Sequence, residues 1–377
     1  MKTLFHLRYF VFISLLAMGC SSGKNALQKG NYDESLIKAV QRLRNAPQNK
    51  EALQVLAQAY ELSVSSHMRN IDAATNSLDP FKWERVIASY QKLNSLSDEL
   101  FSCSSCVTSL GQVKRYNEQL KDAQLNAAQA RLMRGQELMA QNTKGAARDA
   151  YTHFEKALYY QPNLRAAREG LNEAHELALV RIVIEHAQIQ SSRYQLSNAY
   201  FQEQLANWVL NYNGNKFVRF YTQAEASQVK LVPDQVLNMQ FLDFVVGQTY
   251  VKEKVEKVER DSVKIGETRA DGPIYGKVSA TLNTFTKQVS STGLLELKII
   301  DWNSGKVLRS KRLSGTFVWE DQWANYKGDD RALSKKQWQL VKRKEMRPPA
   351  PADLFVEFTK PLYTQLVQEI SRYYQRI

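Results

Sequence analysis

Cysteine is nearly absent, with three residues in 377, at positions 20, 103 and 106. One Cys-x-x-Cys pair is present and no second one that could complete a zinc site. Histidine is scarce too. His6, His67, His153, His175 and His186 stand alone, none paired with another at a metal-ligand spacing. There is no HExxH, no GxSxG and no P-loop, so the usual signatures of zinc proteases, serine hydrolases and nucleotide-binding enzymes are missing. Beyond the first twenty residues no long apolar run occurs, which excludes a later membrane-spanning helix of the ~20-residue kind. Acidic residues are in deficit, 38 against 51 basic, and the formal net charge is +13. Such an excess favours anionic lipid heads or acidic envelope polymers, or serves solubility alone.

Lys2 and Arg8 form a short basic region, followed by ten apolar residues, YFVFISLLAM, at 9 to 18. That run is too short to span a bilayer and fits the core of a secretory signal. It closes on Leu16-Ala17-Met18-Gly19-Cys20, which resembles the lipobox of bacterial lipoproteins, although Ala17 stands where leucine is commoner. The resemblance implies that residues 1–19 are a signal peptide and that Cys20 becomes the acylated first residue of the mature chain. Several acyl chains anchor stably, because each buried CH₂ adds ~0.8 kcal/mol. Ser21 in place of aspartate resembles lipoproteins sent to the outer membrane. Residues 20–29 read as a flexible tether, and no acidic residue precedes Asp33. The expected location is the outer membrane, lipid-anchored and facing the periplasm. An exported chain with no recognition motif is not expected to bind nucleic acid.

From residue 30 to 179 apolar residues recur at helical spacing. Tyr32, Leu36, Ala39, Val40 and Leu43 mark one helix face; Ala52, Leu53, Leu56, Ala59 and Tyr60 mark the next, after Pro47. Trp83, Val86, Ile87, Tyr90, Leu93 and Leu96 form a stripe behind Asp79-Pro80, and a long helix is expected from about Ser109 to Ala140. Gly135 and Leu138 lie on one helix, Ala150, Phe154 and Ala157 on the following one, and Pro162 ends it. These two helix pairs resemble tetratricopeptide repeats. The first copy matches at Ser35, Ala39 and Pro47, without an aromatic at Ala39. The second matches at Gly135, Ala150, Phe154, Ala157 and Pro162, with an insertion of about three residues expected in its turn around 144–147. The resemblance implies a stacked array with a groove for a protein segment. It would be faced by Gln54, Gln58 and Glu61, then by Gln129, Gln136, Glu169 and Glu173, although each of them taken singly reads better as a solvated side chain.

From residue 180 to 377 the pattern changes. Arg181-Ile182-Val183-Ile184-Glu185 and Phe217-Val218-Arg219-Phe220-Tyr221 read as strands around a helix at 194–210. Residues 233–241 read as a helix before a third strand from Phe244. VKEKVEKVERDSVKI carries Val251, Val255 and Val258 at helical spacing but leads to the turn signal Asp271-Gly272, and is taken as the first arm of a long hairpin. Val278, Ala280 and Leu282 alternate, as do Leu295, Leu297 and Ile299. Asn303-Ser304-Gly305 makes a turn, Val307, Leu308 and Leu313 continue, and a helix spans 352–374. This order, with Asp301, Gly305 and Val307, resembles the small α/β domain of envelope lipoproteins of the curli-secretion channel and penicillin-binding-protein activator type. Their domain docks or oligomerises and is not catalytic. The expected fold is thus α+β and multidomain: a tetratricopeptide-like all-α array, then an α/β domain with a mixed sheet.

Cys103-Ser104-Ser105-Cys106 could be a redox centre, half a zinc site or a local disulfide; an oxidising compartment favours the disulfide. Trp319-Glu320-Asp321-Gln322-Trp323 and Gly328-Asp329-Asp330-Arg331 gather aromatics and carboxylates that could serve a sugar or calcium, though aspartates beside glycine usually make a turn. The basic segment 335–347, with Trp338 inside it, could meet anionic lipid or glycan, or be a solvated face. The reading is a non-catalytic, lipid-anchored scaffold or adaptor for a periplasmic protein partner in envelope assembly or secretion, with no cofactor and no metal. The alternatives are an enzyme acting on peptidoglycan through Glu320, Asp321, Asp329 or Asp330, a sugar-binding protein, and a ring-forming homo-oligomer.

Overall fold

The structure, a computed structural model, describes residues 23–191, 194–268 and 272–376. Cys20, the signal sequence and most of the tether lie outside those residues. The chain divides into two units between Ala178 and Leu179.

Among the described residues the first unit holds eight helices: α1 (Lys24–Gln28), α2 (Tyr32–Asn45), α3 (Lys50–Thr75), α4 (Lys82–Phe101), α5 (Ser104–Leu110), α6 (Asn117–Met139), α7 (Lys144–Tyr160) and α8 (Arg165–Ala178). The Asn49 side chain caps α3 by accepting the Ala52 N–H at 2.9 Å. Helix α3 has 26 residues, about 39 Å of helix, and so serves two cores. Its first half, through Ala52, Val55, Leu56 and Ala59, packs with Leu36, Ala39, Val40 and Leu43 of α2 and the end of α4. Its second half, through Ile71 and Ala74, packs with Val86, Ile87 and Leu93 of α4 and with Ala123 and Ala127 of α6.

A third core joins α6, α7 and α8 around Phe154, which is 1% exposed. The phenyl ring lies over two glycines. A Cβ on Gly135 would come within 2.5 Å of it, and one on Gly170 within 2.7 Å. Only the smallest side chain lets three helices close on one ring, and α6 and α8 each supply it.

Two helical expectations need correction. The expected helix from Ser109 to Ala140 is broken. Helix α5 ends at Leu110, Gly111 follows with φ +72°, and α6 starts at Asn117. The link is tied to α4 instead: Ser97 Oγ donates to the Lys114 carbonyl at 2.7 Å, and the Tyr116 N–H donates to Asn94 Oδ1 at 2.7 Å. Residues 144–147 are not an insertion in a turn. They form the first turn of α7, capped by Thr143, whose Oγ1 accepts the Ala146 N–H at 3.2 Å.

The second unit runs β1 (Val180–Ile184), α9 (Gln195–Leu210), β2 (Val218–Thr222), α10 (Gln223–Gln228), β3 (Gln235–Thr268), β4 (Gly272–Asp301) and β5 (Val307–Gly328). A single 3-10 turn (Asp330–Ala332), α11 (Lys335–Lys342) and α12 (Pro351–Tyr374) complete it. The sheet order is β2-β1-β3-β4-β5, with β1 parallel to both neighbours and β3, β4 and β5 an antiparallel meander. The molecule is therefore a two-part α+β protein, all-helical first and mixed-sheet second. Ile182, Ile184, Leu237, Met239, Phe241, Leu295, Leu297 and Ile299 line one face of the sheet. Phe201, Leu205 and Val209 of α9 and the Phe355-to-Tyr374 stripe of α12 cover them. Helix α12 crosses at a notch. Gly293 and Gly315 oppose each other across β4 and β5, and a Cβ on either would meet Phe358 at 2.4–2.5 Å.

The helix expected at 233–241 is instead the opening of β3. Leu237, Met239 and Phe241 alternate inward, but Val236 on the other face is also buried, which blurs the period-2 signal. Strands β3, β4 and β5 have 34, 30 and 22 residues. They continue past the helix-covered base as a three-stranded arm. Its β3 portion from Gly247 to Thr268 spans roughly 70 Å at the usual rise per residue. The valines of VKEKVEKVERDSVKI belong to this arm and not to a helix.

Candidate functional site

The expected carboxylate–aromatic patch sits on β5 of the arm. Strand alternation sends Trp319, Asp321 and Trp323 to one face and Glu320 and Gln322 to the other. Asp321 is 2% exposed. It accepts from Arg343 Nη2 and from the Met346 N–H, both at 2.8 Å, and Glu345 pairs with Lys287 beside it at 2.7 Å. Glu320 accepts from Gln288 Nε2 at 2.8 Å and from Gln322 Nε2 at 3.0 Å. Gly328 lies roughly 25 Å farther along the strand. After it Asp329 caps the 3-10 turn, accepting the Arg331 N–H at 3.0 Å and its Nε at 2.9 Å. Arg331 hydrogen-bonding holds the Asp329 carboxyl below the usual range. An acid/base pair needs two carboxylates about 5–9 Å apart in one cleft. The structure does not gather these four: Glu320 and Asp321 lie on opposite faces, and Asp329 and Asp330 belong to a distant turn.

The same contacts explain the basic segment. Helix α11 lies on the arm face that carries Val278, Ala280, Leu282 and Tyr326. Its Trp338 meets Tyr326 edge-on at 5.6 Å, and Gln337 Nε2 donates to Glu256 at 3.2 Å. Asp321, which binds Arg343 and Met346, lies on the opposite face, so the chain passes around the β5 edge between α11 and Arg343. On the far face Phe285 stacks on Trp323 at 5.5 Å. Trp338 is thus a packing residue, while Lys335, Lys336, Lys342, Arg343, Lys344 and Arg347 are exposed.

Cys103 and Cys106 are joined by a disulfide within the α2–α3–α4 core, 3% and 0% exposed. Cys103 also caps α5, its sulfur accepting the Cys106 N–H at 3.3 Å.

All seven expected groove residues are exposed. Gln54, Gln58 and Glu61 form one stripe of α3, opposite its buried face. Gln129 and Gln136 lie on the exposed side of α6, three and four residues from Leu132 at the edge of its buried stripe. Glu169 and Glu173 point away from Ala167, Ala174 and Ala178 on α8, and Glu169 pairs with Arg165 at 2.7 Å. Helix α4 packs between α3 and α6, whereas α6 and α8 touch directly. The α3 stripe lies on the half of that helix that packs with α2 and α4, outside the core it shares with α6.

Two polar clusters of the helical unit escaped the sequence reading. Arg131, 8% exposed, donates to Glu84 at 2.7 Å, contacts His153 Nδ1 at 3.1 Å and lies 3.6 Å over the Phe81 ring. Burial, then the Arg131 charge, pushes the His153 pKa down. The sequence signal was present: an arginine on the apolar stripe of α6, between Ala127, Ala128 and Leu132. In the second cluster Asp33 accepts from buried Ser63 and contacts His67 Nε2 at 3.0 Å, fastening α2 to α3. Among the described residues no three His, Cys, Asp or Glu side chains converge as a metal site. No helix among them is long and apolar enough to cross a membrane.

No family model and no curated protein matches the chain. Among solved structures, one described as a neuraminyllactose-binding hemagglutinin homolog from Helicobacter pylori aligns over 52% of this chain and 90% of its own. The identity is 12% and the TM-score 0.24, a likeness too low to carry an argument.

Proposed function

We propose that this chain is a non-catalytic, lipid-tethered adaptor of the bacterial cell envelope. Acyl chains on Cys20 hold it at the periplasmic face of the outer membrane, and the helical unit binds a segment of a protein partner in envelope assembly or secretion. The observation that carries the reading is the Phe154 wedge between Gly135 and Gly170. It is the close three-helix packing that a tetratricopeptide resemblance at Gly135, Ala150, Phe154, Ala157 and Pro162 calls for. In such an array Gln129 and Gln136, exposed and three and four residues from buried Leu132, would touch a partner. A photo-crosslinking side chain at either position should capture one discrete envelope protein in living cells. The same group at Glu61 or Glu169, on the sides of α3 and α8 farthest from their buried stripes, should not. Equal capture at all four positions, or none at any, argues against the reading.

The outward basic side chains around α11 favour an additional contact with anionic lipid or glycan. Cosedimentation with phosphatidylglycerol vesicles should fall when Lys335, Lys336 and Lys344 are changed together to glutamine. Unchanged binding by that variant argues against the contact.

A further inference from the structure

The arm leaves a sheet edge open. Strand β1 pairs with β3 only at Gln235, Val236 and Leu237, and one bridge joins Gln188 to Gln240. Among the described residues no strand pairs with the outer edge of β3 beyond that point. An edge of this length is normally guarded by charge, bulges or proline. Here bulges lie at both ends, between Val245 and Gln248 and between Arg260 and Val263. Between them runs a regular stretch from Gln248 to Arg260. Tyr250, Val251 and Val255 within it are 56%, 56% and 61% exposed.

The charges in that stretch are ordered about its middle. Its centre reads Glu253-Lys254-Val255-Glu256-Lys257, and reversing the order exchanges each acid for a base. We propose that this edge pairs antiparallel with the same edge of a second copy of the chain, on a two-fold axis through Val255. Such an axis stands perpendicular to the sheet, so each residue meets its mirror about the axis on the same face. Val255 then opposes Val255 of the copy, Glu253 opposes the copy's Lys257, and Lys254 opposes the copy's Glu256. Symmetry repeats both pairs, giving four cross-strand ion pairs, and Tyr250 opposes the copy's Arg260.

Neighbouring registers are penalised. An axis at Lys254 sets that lysine against itself, and an axis at Glu256 does the same with glutamate; like charges directly opposite each other destabilise. An axis at Val258 sets Lys257 against Glu259, but it draws the Arg260/Val263 bulge into the ladder, where Ser262 has φ +55°. Lys254 now pairs with Glu256 at 2.6 Å and Lys257 with Glu259 at 2.9 Å, and Glu256 also accepts from Gln337 Nε2 at 3.2 Å. Both lysines are 69% exposed, and lysine pairs of that exposure are weak enough to exchange partners. The proposal rests on the arm alone and is independent of the adaptor reading.

The test uses charge reversal in the chain expressed from Gly23 onward, followed by analytical ultracentrifugation at low ionic strength. The unchanged chain should form a dimer that added salt weakens. Glu253→Lys alone and Lys257→Glu alone should each lower self-association on the order of tenfold, since each turns two opposite-charge pairs into like-charge pairs. An equimolar mixture of the two variants should recover association, because every cross-strand pair is again of opposite sign. Val255→Cys should form a disulfide-linked dimer under mild oxidation, while Lys252→Cys should not. Circular dichroism checks that each variant is folded. A monomeric unchanged chain, single reversals that sediment like it, or a mixture that fails to recover would each overturn the proposal.

Discussion

Phe154 and Asp321 illustrate how single side chains fix the two units. Replacing Phe154 by alanine empties a fully packed site and should cost about 3–5 kcal/mol in denaturant unfolding. Gly135→Ala gains up to ~1 kcal/mol in helix propensity but drives a methyl into the Phe154 ring. Overpacking costs typically ~1–3 kcal/mol, so a net loss should be measured. Asp321→Ala removes the acceptor of Arg343 and of the Met346 N–H. Amide exchange at 343–346 should accelerate, while the core under α12 keeps its protection. The pH response follows from groups displaced in opposite charge senses. Glu259 is lowered from an ordinary 4.5 to about 2 by hydrogen bonds from Lys257 and Lys277. A depressed carboxylate stabilises above the unfolded value, and that contribution is lost as pH falls toward about 2. His153 is depressed as well, chiefly by burial. Its neutral form is the one the fold accepts, so stability should decline as pH drops below the ordinary histidine value near 6.5. His153→Gln should flatten that part of a stability–pH curve and leave the carboxylate part.

Helices were legible where one face is buried and the other wet. The stripe Leu36, Ala39, Val40 and Leu43 is visible in sequence because α2 contacts its core along a single side. Strand β3 was legible only in part, for two different physical reasons. In its first residues both faces carry buried side chains, Leu237 on one and Val236 on the other, so alternation disappears. In the arm neither face is deeply buried between Gln248 and Lys257, so nothing imposes alternation, and the turn signal Asp271-Gly272, against three valines at chance helical spacing, is what marks the hairpin. The break at Gly111 was missed because its cause is a tertiary tie from Ser97 and Asn94, not a proline. The carboxylate patch was legible as composition but not as geometry, since alternation splits it between two faces. The Cys103–Cys106 bridge closes a tiny loop, so chain entropy should contribute only about 2 kcal/mol or less. Replacing both cysteines by serine puts hydroxyls into the α2–α3–α4 core as well. The thermal transition should therefore fall by more than the loop term alone, whereas Cys→Ala at both sites should approach it.

The two units use the same economy of small residues, glycines under Phe154 in one and under Phe358 in the other, to bring helices into close contact with their neighbours. Polar groups that a sequence reader would assign to chemistry are instead spent on caps, clamps and edge ties. Among the described residues, exposed helix faces, a basic strip and the open edges of a long arm are the surfaces on which the proposed adaptor would act. The proposed compartment limits what could be recognised, and that proposal depends on acylation of Cys20. The most direct measurement is metabolic labelling with an alkyne-tagged fatty acid in a Gram-negative host, comparing the chain with its Cys20→Ala variant after membrane fractionation. Label on the unchanged chain, recovery of that chain with the outer membrane, and loss of both in the variant are expected. An unlabelled chain recovered in the cytosolic fraction would contradict the proposal.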